Sequence, residues 1–138
     1  MNMAATSVRK VITASKAPTP RAPYSQGVQI NNTLYISGQT GGNSETQTIV
    51  SGGVVAEVEQ ALKNIGAILE AAGSSFDKVV KCTVSLQDIN DFAAVNEVYS
   101  RYFPNIKPAR AAYQAAALPR GAKVEIEAIA IVGEIIDE

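Results

Sequence analysis

The sequence predicts an α+β domain in which two helices cover one face of a six-stranded mixed sheet. Two segments space their apolar residues as helices do, and shorter β-branched runs lie before, between and after them. The resulting element order is βββαβαββ, without an internal repeat or a domain linker. With two helices for six strands, placing both helices on one face is the most economical architecture.

Length and composition limit the classes of function. The chain has 138 residues, 46% hydrophobic and 18% charged, which suits one domain over residues 1–138 with flexible termini at 1–7 and 134–138. The formal net charge of -1 argues against a broad surface for nucleic acid or anionic membranes. There is no histidine and one cysteine, Cys82, which excludes histidine-based dyads, disulfides within the chain and cysteine metal clusters. No metal-ligand spacing or phosphate-binding glycine motif is present.

The N-terminal region is compatible with two compartments. No run of about 18 apolar residues occurs, so we expect no membrane-spanning helix. Arg9, Lys10, Lys16 and Arg21 precede the first acidic residue, Glu45, a pattern weakly similar to an organelle transit peptide. An ordinary first strand and loop explain the same residues. The cytoplasm is therefore the expected compartment and the mitochondrion is the alternative.

The N-terminal third is predicted to contain three strands. Val8–Thr13 is a short β-branched run, and the prolines of residues 17–23 predict an extended loop after it. Short apolar runs at 28–30 and 34–36 are separated by Asn31-Asn32, which predicts a hairpin.

The middle of the chain is predicted as helix, strand and helix. The first helix covers about Gly53–Ala72, and Gly73 suits the position after its C-terminus. The strand Lys78–Leu86 alternates and the second helix ends near Phe103. Their expected core-facing residues are Val55, Val58, Leu62, Ile65, Leu69 and Ala72, then Val80, Cys82, Val84 and Leu86, then Phe92, Val95, Tyr99 and Tyr102. Cys82 is thus expected to be an inert core thiol.

The stretch Pro108–Gly133 is predicted as two strands joined by a turn. Its charges are unusual, because Arg110 lies among alanines while Glu125 and Glu127 lie in an otherwise apolar strand. In a hairpin centred near Pro119-Arg120, Arg110 would lie roughly 16 Å from Glu125, at about 3.3 Å per residue. One chain would then struggle to bring both charges to one small ligand, whereas two adjacent chains could.

Each of these polar residues has two explanations. Arg110 offers a planar fork for a carboxylate or phosphate, but a structural ion pair with Glu125 or Glu127 is equally compatible with the residues. A partly buried glutamate can hold or activate water, although an interface salt bridge is the simpler explanation for Glu127. Ser37-Gly38 is either a simple turn or a place where backbone amides approach a ligand. The carboxylates share a strand face with two isoleucines, which suggests a subunit interface.

Six motifs carry a family resemblance. They are Ala22-Pro-Tyr-Ser-Gln, Tyr35-Ile-Ser-Gly-Gln, Asp88-Ile-Asn-Asp-Phe, Pro108-Ala-Arg-Ala-Ala-Tyr-Gln, Leu118-Pro-Arg-Gly and Val124-Glu-Ile-Glu-Ala-Ile-Ala. Together they resemble the RidA (YjgF) family of reactive-intermediate deaminases, most closely its animal members. Further matches at Leu62-Lys-Asn, Leu69-Glu-Ala-Ala-Gly and Val95-Asn-Glu-Val-Tyr extend the resemblance over about residues 8 to 133.

The resemblance implies an activity and an assembly. The family hydrolyses 2-imino acids, such as 2-iminobutanoate and 2-iminopropanoate, to 2-keto acids and ammonia without a metal or cofactor. Dehydratases that depend on pyridoxal phosphate release these imines. The implied fold is chorismate-mutase-like, in a homotrimer whose sheets form an inner barrel and whose sites lie between subunits.

The resemblance also assigns roles by matched position. Arg110 would bind the substrate carboxylate bidentately, and Glu125 would hold the attacking water. The pocket would further contain the side chains of Tyr24, Ser37, Phe92 and Asn96 and the backbone groups of Gly38 and Ala112. Many members have cysteine where Ala112 stands, so no thiol is expected to be essential there. Lys107 replaces a common phenylalanine and would add a charge near the pocket mouth.

Two other functions stay open. One is a single-stranded RNA endoribonuclease or translation inhibitor, a role also attributed to animal relatives, against which the net charge of -1 argues. The other is a small-acid-binding or chaperone protein without catalysis. The sequence does not separate this role from hydrolysis, because both need Arg110.

Overall fold

A computed structural model describes residues 5–138, so residues 1–4 of the predicted flexible N-terminal segment lie outside the described residues. The regular elements are β1 (Arg9–Ile12), β2 (Gly27–Ile30), β3 (Thr33–Gln39), α1 (Val54–Ala71), β4 (Val79–Leu86), α2 (Phe92–Tyr102), β5 (Ala109–Gln114) and β6 (Val124–Ile131). Short 3₁₀ turns lie at Phe76–Lys78, Ile89–Asp91 and Pro119–Gly121. The predicted order βββαβαββ is confirmed.

The strands of residues 5–138 form one six-stranded sheet in the order β1-β2-β3-β6-β4-β5. Strands β4 and β5 run parallel and the other neighbours are antiparallel, so the sheet is mixed as predicted. Both helices pack on one face, where the core receives Val124, Ile126, Ala128 and Ala130 of β6. The intervening residues of β6, which include Glu125 and Glu127, face the side without helices. Neither described helix is long and apolar enough to cross a membrane.

The predicted hairpin between the last two strands is wrong. Strand β4 lies between β5 and β6 and pairs with both, in parallel with β5 and antiparallel with β6. The connection between β5 and β6 passes the end of β4, where Ala115 N donates to Leu86 O and Gln87 N donates to Lys123 O. The buried strand β4 thus has a hydrogen-bonded neighbour at each edge. If β5 and β6 paired with each other as a hairpin, one edge of β4 would lack a partner.

Local predictions near the turns had mixed outcomes. The Asn31-Asn32 hairpin is confirmed, with Ile30 opposite Thr33, and Gly73 has the expected left-handed conformation at φ 76°. Val80 is 44% exposed because a register shift after Val79 turns Val79 into the core instead. The helix-start residues Val55 and Phe92 were also expected in the core, but they are 51% and 37% exposed.

Candidate active site

Arg110 lies on the edge strand β5, and its side chain projects toward α2. It pairs with Cys82, whose side chain is fully buried in the core, so Arg110 lies on the helix-covered face of the sheet. Nη1 of Arg110 donates to Asn96 Oδ1 at 2.8 Å. The guanidinium carbon lies 5.4 Å from the centre of the Phe92 ring and 4.8 Å from that of Tyr99.

Within one chain, Arg110 forms no ion pair with either glutamate of β6, so a structural ion pair inside the chain is wrong. The salt bridge within residues 5–138 joins Arg101 and Glu97 on the exposed surface of α2. A guanidinium with several donors left over, held by an amide and two rings, is suited to binding an external carboxylate.

The surroundings of Arg110 are built by β5 and α2 together. Ala112 lies two residues along the same strand face, and its small side chain leaves room beside the guanidinium. Gln114, at the end of β5, accepts a hydrogen bond from Ile89 N at 2.9 Å. This bond fastens the segment before α2 to the strand, and so sets the position of Phe92 and Asn96.

A second cluster lies on the opposite side of the sheet, in a cleft of about 520 Å³. Its lining includes four of the predicted site residues, namely Tyr24, Ser37, Gly38 and Glu125, together with Arg21, Arg120 and Glu127. Ser37 is tied to the preceding loop twice. Its Oγ donates to Ser25 O at 2.6 Å and its backbone N donates to Gln26 O at 2.9 Å.

A β-bulge places Ser37 and Gly38 beside Glu125. In the pairing of β3 with β6, Ile36 is opposite Ala128 and Gln39 is opposite Ile126, so Ser37 and Gly38 together face one residue, Glu127. Bulges of this kind redirect side chains next to active sites. A Cβ on Gly38 would lie 2.8 Å from Glu125 Cδ, so the glycine makes the space in which that carboxylate sits.

The surroundings of Glu125 shift the pKa of its carboxyl upward. Partial burial raises the pKa of its carboxyl, and the charge of Glu127 raises it further. A raised pKa makes the carboxylate a stronger base, which favours general acid–base catalysis.

The eight predicted site residues therefore fall into two clusters. Arg110, Phe92, Asn96 and Ala112 lie together on the helix-covered side, and Tyr24, Ser37, Gly38 and Glu125 lie together on the open side. The chain does not bring the two clusters together. Strand register separates them, because Arg110 pairs with Cys82 whereas Glu125 pairs with Ser85, which faces the other way.

The sequence analysis also made predictions for Lys107 and Cys82, which belong to neither cluster. Lys107 lines a separate cleft with Asp77, Asn105 and Asp137, and none of the predicted site residues lines it. The predicted pocket lies between chains, so the place of Lys107 relative to its mouth stays a prediction. Cys82 is fully buried, and burial raises the pKa of its thiol, as expected for an inert core cysteine.

The sequence prediction missed two residues that support the clusters. Tyr99 was assigned only to the core, although its ring lies against Arg110. Gln26 ends the Ala22-Pro-Tyr-Ser-Gln motif and holds the loop beside Tyr24. Gln26 is only 3% exposed, and its place in a predicted loop gave no sign of that burial.

Comparison with known proteins identifies the family. The sequence model described as Endoribonuclease L-PSP matches residues 14–132. This chain belongs to the endoribonuclease L-PSP family. A Mus musculus protein named 2-iminobutanoate/2-iminopropanoate deaminase is 59% identical over 129 residues, which cover 94% of this chain and 96% of that protein.

Solved structures of the L-PSP family have the same fold. RidA from the Antarctic bacterium Psychrobacter sp. is 49% identical, with a TM-score of 0.86 over 89% of this chain and 99% of that one. A structure of E. coli TdcF with bound serine is 38% identical, with a TM-score of 0.86 over 90% of this chain and 99% of that one. The resemblance to RidA proteins found in the motifs is confirmed.

Proposed function

We propose that this protein hydrolyses 2-imino acids, such as 2-iminobutanoate and 2-iminopropanoate, to 2-keto acids and ammonia. The observation that carries the proposal is the 59% identity, over 94% of the chain, to a mouse protein named as a deaminase of these two compounds. Both named substrates are small carboxylates with a carbon–nitrogen double bond. The two clusters of residues supply the groups that such a reaction needs.

Arg110 binds the substrate carboxylate in this proposal. Asn96 uses one of its donors, which fixes the plane of the guanidinium and leaves the other donors for two parallel bonds to a carboxylate. The rings of Phe92 and Tyr99 exclude water from that pair and strengthen it. Ala112 leaves space for the substrate carbons beside the arginine.

Glu125 positions and deprotonates the attacking water. The oxygen of that water bonds to the imine carbon, and its proton goes to the carboxylate. The nitrogen then takes a proton from the same carboxyl. Ammonia leaves as the carbon–oxygen double bond forms, and the hydroxyl proton passes to the Glu125 carboxylate. A protonated imine is already electrophilic, so orienting water and substrate supplies much of the rate increase. Ser37 and Gly38 border the Glu125 carboxylate, and Tyr24 borders the cleft.

The complete site lies between two chains, and we propose a homotrimer as the assembly. Each chain carries one cluster on each face of its sheet, so a head-to-tail ring brings the Arg110 cluster of one copy to the Glu125 cluster of the next. The open face supports such packing. Across its strands Val11, Val28, Tyr35 and Ile129 form one row, in which Val11 and Tyr35 are 62% and 51% exposed.

The test is an assay of 2-ketobutyrate release from 2-iminobutanoate that an amino-acid oxidase generates in the cuvette. Wild-type protein is compared with Arg110→Ala and Glu125→Ala, and each substitution is expected to lower kcat/KM by about a hundredfold. Lys63→Ala is the control and should remain active, because Lys63 is exposed on α1 in a cleft that none of the predicted site residues lines. Unchanged turnover in Arg110→Ala and Glu125→Ala would refute the assigned roles.

RNA cleavage is the second candidate, because the family model carries the description endoribonuclease. The formal net charge of -1 argues against it, since RNA binding relies on neutralised phosphates. Incubation with single-stranded RNA at low and high salt tests this function. Cleavage that Arg110→Ala abolishes would favour it over imine hydrolysis.

We also propose that residues 1–138 work as one domain in the cytoplasm, with the mitochondrion as the alternative compartment. The single cysteine supports a reducing compartment, and the early basic residues support the alternative. Fractionation of cells that express the full chain with a C-terminal tag distinguishes the two.

A further inference from the structure

The ring of Tyr99 lies against the guanidinium of Arg110. Residues 92, 96 and 99 share one face of α2, and all three side chains meet the guanidinium. Tyr99 is the nearer of the two rings, at 4.8 Å, and it is only 8% exposed. Phe92 is 37% exposed and lies farther away, at 5.4 Å.

The ring of Tyr99 is itself held firmly. It packs against Phe103 with 4.7 Å between ring centres, and Phe103 is buried at the end of α2. Its hydroxyl lies near the thiol of Cys82, too far for a well-formed hydrogen bond, and has no closer partner among residues 5–138. The contact with Arg110 therefore uses the aromatic face and not the hydroxyl, which is unusual for a buried tyrosine.

We propose that Tyr99 is a positioning residue whose ring forms a platform for Arg110 and directs the free side of the guanidinium toward the substrate carboxylate. An arginine on an edge strand otherwise samples many rotamers, and this conformational entropy is lost when a carboxylate binds. A flat, buried ring below the guanidinium removes much of this cost in advance and adds a cation–π contact. This inference rests on the proposed function of Arg110.

The test measures the affinity for 2-ketobutyrate, the keto-acid product, by calorimetry with the full chain. Tyr99→Phe retains the platform and is expected to bind like wild type. Tyr99→Leu removes the aromatic face and is expected to bind about tenfold more weakly. In the imine assay Tyr99→Leu should raise KM by a similar factor and change kcat less. Tyr99→Met, which keeps apolar volume without a ring, replaces Tyr99→Leu if that variant does not fold.

Tyr102→Leu is the matched control. Tyr102 lies three residues farther along α2, where its ring contacts Phe76 and its hydroxyl bonds to Glu59, away from Arg110. This variant should lose thermal stability and keep its affinity for 2-ketobutyrate. Equal weakening in Tyr102→Leu would overturn the inference, because general loosening of α2 would then explain the effect.

The remaining outcomes are also decisive. Wild-type affinity in a folded Tyr99→Leu, or in its Tyr99→Met replacement, would overturn the inference, and so would a Tyr99→Phe variant as weak as Tyr99→Leu. Calorimetry involves no turnover, so it separates this inference from the proposed function. A wild-type protein that binds 2-ketobutyrate but hydrolyses no imine would refute the deaminase activity alone. A wild-type protein that does not bind 2-ketobutyrate would overturn the platform together with the carboxylate role of Arg110.

Discussion

Arg110 and Glu125 project from opposite faces of one sheet, and strand β4 separates their strands. Arg110 pairs with Cys82, which points into the core, while Glu125 pairs with Ser85, which points to the open face. Side chains on opposite faces of a sheet cannot meet around one small ligand. If both residues act on the same imine, they must come from different chains.

Mixing two inactive variants is expected to restore activity. Arg110→Ala chains keep an intact Glu125 and Glu125→Gln chains keep an intact Arg110, so a mixed oligomer contains some clefts with both groups. Random exchange of equal amounts should leave about a quarter of the clefts complete, since each cleft draws one half from each of two neighbouring chains. The measurement is keto-acid release after the variants are unfolded and refolded together. No recovery above the separately refolded variants would contradict a shared site.

The pH dependence of kcat/KM should report Glu125. Burial and the charge of Glu127 raise the pKa of its carboxyl, so activity that needs the carboxylate should fall as pH drops through a value above that of an ordinary glutamate. Glu127→Gln removes the like charge and should move this acid limb to lower pH. Glu134→Gln, in the C-terminal tail, removes the same charge elsewhere and should leave the limb in place.

The raised pKa of Glu125 also determines how the stability of the fold changes with pH. The folded chain holds the Glu125 proton more tightly than the unfolded chain does, because the folded-state pKa is the higher one. The resulting stability is present at low pH and is lost as pH rises through the raised pKa. Urea unfolding across this range should show that loss in wild type, and a smaller loss in Glu127→Gln. An identical pH dependence in the two proteins would contradict the influence of Glu127.

Gly38→Ala should damage the site more than the fold. The new Cβ would lie 2.8 Å from Glu125 Cδ, so the carboxylate must move, whereas Gly38 has no positive φ that a side chain would strain. We expect kcat/KM to fall by about tenfold or more, with a change in unfolding free energy of about 1 kcal/mol or less.

Gly73→Ala is the control for Gly38→Ala, because it should affect the stability of the fold and not the site. Gly73 has φ 76° and open space around its Cα, so alanine strains the backbone there without touching either cluster. It should lower the melting temperature and leave kcat/KM unchanged. A Gly38→Ala protein with normal kinetics would show that Glu125 does not need its present position.

Local patterns predicted most of the fold, and pairing between distant strands was the part they did not determine. Helical spacing located α1 and α2, and Asn31-Asn32 located the hairpin, because these signals depend on neighbouring residues. The insertion of β4 between β5 and β6 depends on which strand best pairs with a buried edge. A short stretch of sequence does not contain that information. The sequence analysis predicted that Arg110 and Glu125 lie far apart, but it used a wrong strand register. They are separated because their side chains lie on opposite faces of the sheet.

For the candidate site, too, local signals were predictable and contacts between distant elements were not. The motifs pointed to Arg110 and Glu125 as charges in apolar strands, a signal that the sequence carries directly. The role of Tyr99 beside Arg110 was not predictable, because an aromatic residue at helical spacing is the usual signature of core packing. The contact became visible only once α2 lay against β5.

Gln26→Ala should destabilise the loop that borders the Glu125 cleft. The buried amide of Gln26 accepts from Ala14 N at 2.6 Å and donates to the carbonyls of Ala14, Ala17 and Pro18. Alanine leaves Ala14 N and the carbonyls of Ala17 and Pro18 without this partner in a buried place, so we expect a loss of about 2–4 kcal/mol in unfolding free energy.

The loop held by Gln26 continues into Pro18, Thr19 and Tyr24 of the cleft, so its loosening should also raise KM for 2-iminobutanoate. Urea unfolding and steady-state kinetics measure the two effects on the same protein. Gln87→Ala is the matched control, because Gln87 is exposed and its bond to Lys123 uses backbone atoms only. If Gln26→Ala and Gln87→Ala unfold at the same urea concentration, the amide of Gln26 does not hold the loop.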